Sequence, residues 1–442
     1  MQTKRERSQQ AMTLLPPLES FIPRDHYLRR LNRVLDLGFV HEAVRDRYCQ
    51  DNGRPSIDPE VIVRLFLIQA MEGIGRVREL MRQVQVNLAY RWFIGYELDE
   101  PLPDHSTLSK ALSRFGDAVF DDLFRRSIGC CQSSGLIEGK VLHVDATTIR
   151  ADLNANRVNK GDSPDRDARF GHFPDGNIKP AYKQHTVADG KSRVVVGVSV
   201  TPGDRQEHDE AVGLIDTAVA QIGSPPQAVC ADGAYGSGVN AADMEARGIR
   251  LVAPPPKAKT YTGDKSFTVE AFDYDESEDI FICPAGKRLT YVYTEAKRGR
   301  RIYRASRADC GSCPSRPRCT KSNRRSVKVT SNHGALVRLR ADSKTDSFKR
   351  LYRSRAPVIE GVFAEAKQWH GLRRAWRRGL SKMRVQCLLI AAVLNYKRLA
   401  AVLWQLWADI RGYYPFGDAL RSFSDVIHQP EYILSRIWAI QT

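Results

Sequence analysis

The stretch VLHVDATTI, residues 141–149, is where the chain changes period. Before it, apolar residues recur three and four apart, and from it onward they alternate or run in short bursts, as in strands. The same stretch holds Asp145 between the apolar Val144 and Ala146. A carboxylate within a buried strand is costly unless it is paired or bound to a cation. The strand that opens the α/β part of the chain therefore also carries the first candidate for chemistry.

Toward the N-terminus, DPEVIVRLFLIQAMEG (58–73) opens with an aspartate cap and a proline in the first turn, and repeats Val61, Leu65 and Ile68 at helical spacing. GRVRELMRQV (75–84) and HSTLSKALSRF (105–115) follow after short connections. A helical N-terminal domain over residues 1–136 is expected, in which PDHSTLSKALSRFG reads as a turn and DNA-recognition helix or simply as a packing helix. Toward the C-terminus, KQHTVADG (183–190) and SRVVVGVSV (192–200) predict the second and third strands. HDEAVGLIDTAVAQIG (208–223) predicts a helix with Asp209 near its cap, so that His208 is no catalytic candidate. QAVCADGAY (227–235) is a fourth strand and, after a short helix, IRLVAPPP (249–256) a fifth. The expected class is α/β, a ribonuclease-H-like mixed sheet covered by helices. Its first part would span 137–256 and its second part, helical, 336–410; a basic, cysteine-containing insertion would fill 257–335 and a C-terminal tail 411–442.

Among 442 residues, 68 Lys and Arg face 51 Asp and Glu, a formal charge of +17. That excess favours a polyanionic partner, nucleic acid first. MQTKRERSQQ is followed only by the short AMTLLPPL, and CLLIAAVL (387–394) is cut off by Asn395, Lys397 and Arg398, well short of the ~20 residues a membrane span needs. A cytoplasmic protein without a membrane segment is expected. Nine unevenly placed cysteines do not make a disulfide framework.

Asp232, at the end of the fourth strand, is the second candidate carboxylate. Taken singly, Asp145 and Asp232 read better as core or turn aspartates, but the first and fourth strands of a ribonuclease-H-like sheet are neighbours and would bring both carboxylates to one place. Glu360, on a helix beyond the fifth strand, can add a third oxygen. Carboxylates without a histidine cluster suit Mg²⁺ or Mn²⁺, and two such ions can activate water or a 3′-hydroxyl at a phosphodiester. Lys367 follows Glu360 by seven residues, about two helical turns, and so shares its face, where it can hold a phosphate. Taken alone, that pairing reads as an exposed helix face. From Lys367 to Arg384 there are seven Lys or Arg and no acid, including Arg373, Arg374, Arg377 and Arg378, which suggests a phosphate track beside the metals.

HVDATTIRA, ADGAYGS and YRSRAPVIEGVFAEAKQWHGLRR resemble the three catalytic blocks of the DDE transposases of bacterial insertion sequences, in the group with a Tyr-Arg-Glu-Lys signature. GRPSIDPEVIVRLFLIQ and YRWFIGYELDEPLPDHSTLSKALSRFG are similar to that family's N-terminal helical region. The resemblance implies that Asp145, Asp232 and Glu360 are the metal-binding triad and that Tyr352, Arg355 and Lys367 contact DNA. Four residues stand between Arg355 and Glu360, where the signature usually has three. Glu365 is a rival carboxylate without a lysine seven residues on.

Within the insertion, FICPAGKRL and RADCGSCPSRPRCTKSNRR hold Cys283, Cys310, Cys313 and Cys319, with a C-x2-C pair at 310 and 313. Four thiolates could close a structural zinc site; unbound thiols in a reducing compartment are the alternative. Twelve Lys or Arg lie between Lys297 and Lys328 against the single acid Asp309, with Tyr291, Tyr293 and Tyr303 nearby, a composition that can grip phosphates and stack on bases. The expectation is a DNA transposase that binds the terminal inverted repeats of its element, cuts there and joins 3′-hydroxyls to target DNA, as a homodimer when two ends are synapsed. A metal-dependent nuclease without joining and an inactive DNA-binding repressor are the alternatives.

Overall fold

The structure, a computed structural model, describes residues 16–49, 56–156, 163–257, 267–296, 299–330 and 332–413, with side chains as far as 405 except at 208. MQTKRERSQQ, Lys297 and all but the first three residues of the 411–442 tail lie outside the described residues. The chain divides into two compact units, residues 1–224 with 356–442, and residues 225–355.

The first unit begins with seven helices: α1 (Tyr27–Val34), α2 (Phe39–Val44), α3 (Pro59–Met71), α4 (Val77–Val86), α5 (Leu88–Ile94), α6 (His105–Phe115) and α7 (Ala118–Ser133). Asp58 caps α3 by accepting the N–H of Glu60 at 2.7 Å, and Pro59 fills the first turn. From Pro59 to Ala70 every α3 residue except Glu60 is buried, as expected of a helix apolar on all sides. Its one buried cation, Arg64, is satisfied by Glu60, by Asn32 at 2.7 Å and by the Phe93 carbonyl at 3.2 Å. In α6, Leu108, Ala111, Leu112 and Phe115 pack inward while Ser106, Ser109, Lys110 and Ser113 face out.

Then come β1 (Val141–Arg150), β2 (Arg169–His172), β3 (Ile178–Asp189), β4 (Val195–Pro202) and α8 (Ala211–Ile222). β3 pairs antiparallel with β1, β2 and β4. β2 was not expected. It forms a hairpin with β3 through Pro174-Asp175-Gly176-Asn177, where Asp175 accepts the Asn177 N–H at 3.0 Å and Gly176 takes φ +76°.

In the second unit, β5 (Ala228–Cys230) and β6 (Arg250–Val252) pair in parallel, with α9 (Gly238–Ala246) between them in sequence. Four antiparallel strands, helix, strand, helix, strand is thus the succession along the chain, the mixed α/β order expected with β2 added to it, and the helical region lies ahead of it in sequence. The insertion folds as a five-stranded antiparallel sheet of β7 (Asp273–Asp275), β8 (Ile280–Ile282), β9 (Arg288–Glu295), β10 (Arg300–Ala305) and β11 (Ser326–Thr330), in the order β11-β10-β9-β8-β7. Its core is Phe272, Phe281, Leu289, Tyr303, Ala305, Val327 and Val329. Short helices α10 (Arg307–Gly311) and α11 (Arg316–Cys319) connect β10 to β11, and α12 (His333–Asp342) and α13 (Asp346–Arg353) complete the unit.

The chain returns to the first unit with a π-helical turn, Ala356–Glu360, then α14 (Gly361–Trp369) and α15 (Leu380–Tyr413). Leu380–Gln405 is long and apolar enough to cross a membrane by length and composition, but it packs on α7, β4, α1 and α3 as the central helix of this unit. The polar residues that interrupt it are used in that packing. Asn395 accepts the Val195 N–H and donates to the Val195 carbonyl, both at 2.8 Å, so it completes the β4 backbone. Ahead of α15, the Gly379 N–H donates to Asp165 at 3.2 Å and the Leu380 N–H to Asp167 at 2.9 Å, which satisfies the start of the helix.

Candidate active site

In the first unit Asp145 sits on β1 opposite Thr186 of β3, half-buried, with the Ala146 N–H donating to its Oδ1 at 2.8 Å. A carboxylate oxygen of Glu207 lies within 4.8 Å of one on Asp145. Glu207 belongs to a 3₁₀ turn after β4 and also receives Lys183 at 3.2 Å. Sequence reasoning missed it. The helix expected from residue 208 starts instead at Ala211, with Glu210 at its N-cap position, and leaves Glu207 in the turn.

Glu360 is exposed at the end of the π turn, and that turn packs against β1 and β3. Lys367, two turns farther along, is half-buried. Burial lowers its pKa, Arg373 acts in the same direction, and the negative charge of Asp145 opposes them. Its ammonium group therefore stands within electrostatic reach of both. Glu365 has different surroundings. Lys397 at 2.6 Å and Arg398 at 3.2 Å pair with it, and His370 Nε2 lies 3.8 Å away. Burial pushes its carboxyl up, but His370, Lys397 and Arg398 overcome that and hold it at about 2. A carboxylate committed to two cations has little left to offer a metal ion.

The arginine-rich stretch after α14 is a strap of turns and bends that passes alongside β1. Gly371, at φ +70°, ends the turn that follows α14. The Arg150 N–H then donates to the Arg373 carbonyl at 3.2 Å and the Ala375 N–H to the Arg150 carbonyl at 2.8 Å, so the strap meets the end of β1 in one parallel bridge at Arg374. Buried Gln386 holds it from α15, donating to the carbonyls of Gly371 and Arg374 and accepting the Trp376 N–H at 2.9 Å. Arg373, Arg374 and Arg378 stay exposed; Arg374 pairs with Asp152, and Arg378 donates to the Asp152 carbonyl. Arg377 turns inward, over the Phe66 ring at 5.3 Å and onto Gln69 at 3.3 Å, and burial brings its pKa down to about 10. Its guanidinium is a packing group of the helical region.

In the second unit Asp232 lies just past β5, half-buried, and caps the turn Gly233–Tyr235 by accepting the Ala234 N–H at 2.9 Å. Tyr352 of α13 lies 5.9 Å beneath the Arg355 guanidinium. On the insertion sheet, Tyr291 and Tyr293 are exposed, and Arg301 and Arg304 lie over them at 4.9 and 5.5 Å. Tyr303 is fully buried and donates to Asp279 at 2.6 Å, so it belongs to the core. Arg325 is buried too, its guanidinium donating to the carbonyls of Cys319 and Phe267. Cys283, Cys310, Cys313 and Cys319 line one small cavity.

Two family models match this chain: a transposase domain (DUF772) over residues 16–114 and a transposase DDE domain over residues 282–400. The second match includes Glu360, Glu365 and Lys367. A comparison with curated protein sequences gives no match. Among solved structures, a cryo-EM structure of the piggyBac transposase synaptic complex with hairpin DNA is similar at 11% identity and a TM-score of 0.36, covering 92% of this chain and 86% of that one. With a transposase domain over its helical N-terminal region and a DDE domain that contains Glu360, the chain belongs to the DDE transposases.

Proposed function

We propose that this transposase binds the terminal inverted repeats of its own insertion sequence, cleaves the DNA there and joins the freed 3′-hydroxyls to target DNA. The observation that carries the reading is the arrangement on β1: one strand holds Asp145, lies against the Glu360 turn, and is bridged at its end by the arginine strap. Asp145, Asp232 and Glu360 are the proposed ligands for two Mg²⁺ or Mn²⁺ ions, and an all-oxygen donor set suits those ions. The Asp145 and Glu207 oxygens, within 4.8 Å of each other, are close enough to share one such ion, with Lys183 also paired to Glu207. When bound, such ions would activate the attacking water or 3′-hydroxyl and stabilise the leaving oxygen.

The protein's own part is to hold and orient the phosphate. Lys367 places a positive charge beside Asp145, while Arg373 and its exposed neighbours continue that charge along the strap as a track for the DNA backbone. By the resemblance to the Tyr-Arg-Glu-Lys group, Tyr352 and Arg355 add DNA contacts. Synapsis of two ends calls for a homodimer, and the reaction belongs in the cytoplasm beside the DNA.

Asp145→Ala, Asp232→Ala and Glu360→Ala tested separately for end binding, Mg²⁺-dependent cleavage and strand transfer provide the test. Each variant should bind ends like the wild type and neither cut nor join. Undiminished cleavage by any of the three would remove that residue from the ligand set, and cutting by the wild type without joined products would replace the transposase reaction by that of a nuclease.

A further inference from the structure

We infer that Cys283, Cys310, Cys313 and Cys319 form a zinc site that fastens the insertion sheet of the second unit to the two short helices between β10 and β11. Three pieces of chain bring these thiols together: the β8–β9 turn, α10 with the residues just after it, and α11. Cys283 opens the tight turn between β8 and β9, where the Gly286 N–H donates to its carbonyl at 2.7 Å and the Cys283 N–H to the Lys287 carbonyl at 2.8 Å. Gly286 takes φ +74°, which lets the turn fold back so that the Lys287 N–H points at Cys283 Sγ, 3.3 Å away. Cys310 lies in α10 and receives the Arg325 N–H on its sulfur at 3.5 Å; Cys313 follows α10, and Cys319 ends α11. Main-chain N–H groups aimed at sulfur stabilise the thiolate, the form that binds a metal.

The four cysteines line a cavity of about 30 Å³, closed by Phe267, Leu289 and Ala305. It has room for one ion and none for an organic ligand. A closed set of four thiolates is the donor chemistry of structural zinc. Because the four thiols share this one pocket, metal uptake would tighten the chain around it.

The sheet has reason to need such a fastening. Among the described residues its hydrophobic cluster is small, seven buried residues, and Cys283, Cys310 and Cys319 pack along its margin. A core that small gives limited stability on its own, and natural small folds commonly add a metal or disulfides.

The test uses the full chain purified without chelator. Metal analysis should find about one zinc per chain, and replacement by Co²⁺ should give the visible bands of tetrahedral thiolate coordination. Cys283→Ser and Cys310→Ser should lose both signals, and Cys49→Ser should keep them. Should the serine variants fail to fold, alkylation of the wild type decides: with zinc bound the four thiols should resist as a set, and chelation should expose all four together and speed hydrogen exchange in β8–β11 while α15 stays unchanged. Folded protein without zinc whose cobalt form lacks thiolate bands would overturn the assignment, as would zinc retained by the Cys283→Ser/Cys310→Ser double variant. None of these readouts depends on DNA cleavage.

Discussion

Glu360→Gln and Glu365→Gln alter two carboxylates five residues apart in one helical segment and should fail in opposite ways. Glu365 is 28% exposed and held between Lys397 and Arg398, the latter only 15% exposed. Its drop from 4.5 to about 2 corresponds, at about 1.4 kcal/mol per pH unit, to about 3 kcal/mol of folding free energy at neutral pH. The amide also strands two partly buried cations, so the loss should be of that order. In a unit of this size it should lower the melting temperature by roughly 5–10 °C. Because the folded-state pKa is depressed, the stabilisation is complete above the unfolded value near 4.5 and disappears as pH falls toward 2. The difference between wild type and Glu365→Gln in thermal unfolding should therefore be constant at neutral pH and shrink through that acid window. Glu360 is exposed, and its amide should melt like the wild type yet not cleave DNA. A Glu365→Gln protein of unchanged stability that fails to cleave, beside a fully active Glu360→Gln, would reverse the two assignments.

Arg373→Ala should weaken end binding and reduce the salt dependence of the affinity by about one phosphate contact, whereas Arg377→Ala should cost about 1–2 kcal/mol of stability and leave that slope unchanged in a salt titration. Glu207→Gln should raise the Mg²⁺ concentration needed for half-maximal cleavage about tenfold with end binding intact; an unchanged metal titration would leave Glu207 as a partner of Lys183 only. Gly73→Ala should be destabilising by more than 1 kcal/mol in chemical denaturation, because its φ is +62° and a Cβ would stand 2.8 Å from the Trp369 carbonyl oxygen and 3.0 Å from the Gly371 nitrogen.

What could be read from the chain was what repeats locally. Alternation placed β1, β3 and β4, and the Asp58-Pro59 start placed α3, because those signals arise within one element. β2 is four residues long and is marked only by the turn that follows it. The insertion sheet has alternating residues in RLTYVYTE and SVKVT, but its charge and cysteines pointed to binding before folding. Side-chain commitments were not readable at all. Arg377 and Arg373 are the same residue type four positions apart, yet one packs on Phe66 and the other faces solvent, a choice made by α3, which lies some 300 residues earlier. Glu207 approaches Asp145 only because a loop after β4 folds back, and Glu365 is distinguished from Glu360 only by the cations that α15 brings to it.

The π turn at Ala356–Glu360 bears on how such signatures should be measured. An α turn closes with hydrogen bonds four residues apart and a π turn with bonds five apart, so the π turn takes up one more residue for a similar rotation about the axis. The five residues from Arg355 to Glu360 therefore cover about the rotation that four cover in an α-helix. The additional residue is confined to the π turn, and α14 continues from Gly361 with ordinary α spacing to Lys367. A spacing written as a number of intervening positions and one written in angular steps around the helix therefore differ by one residue across this turn.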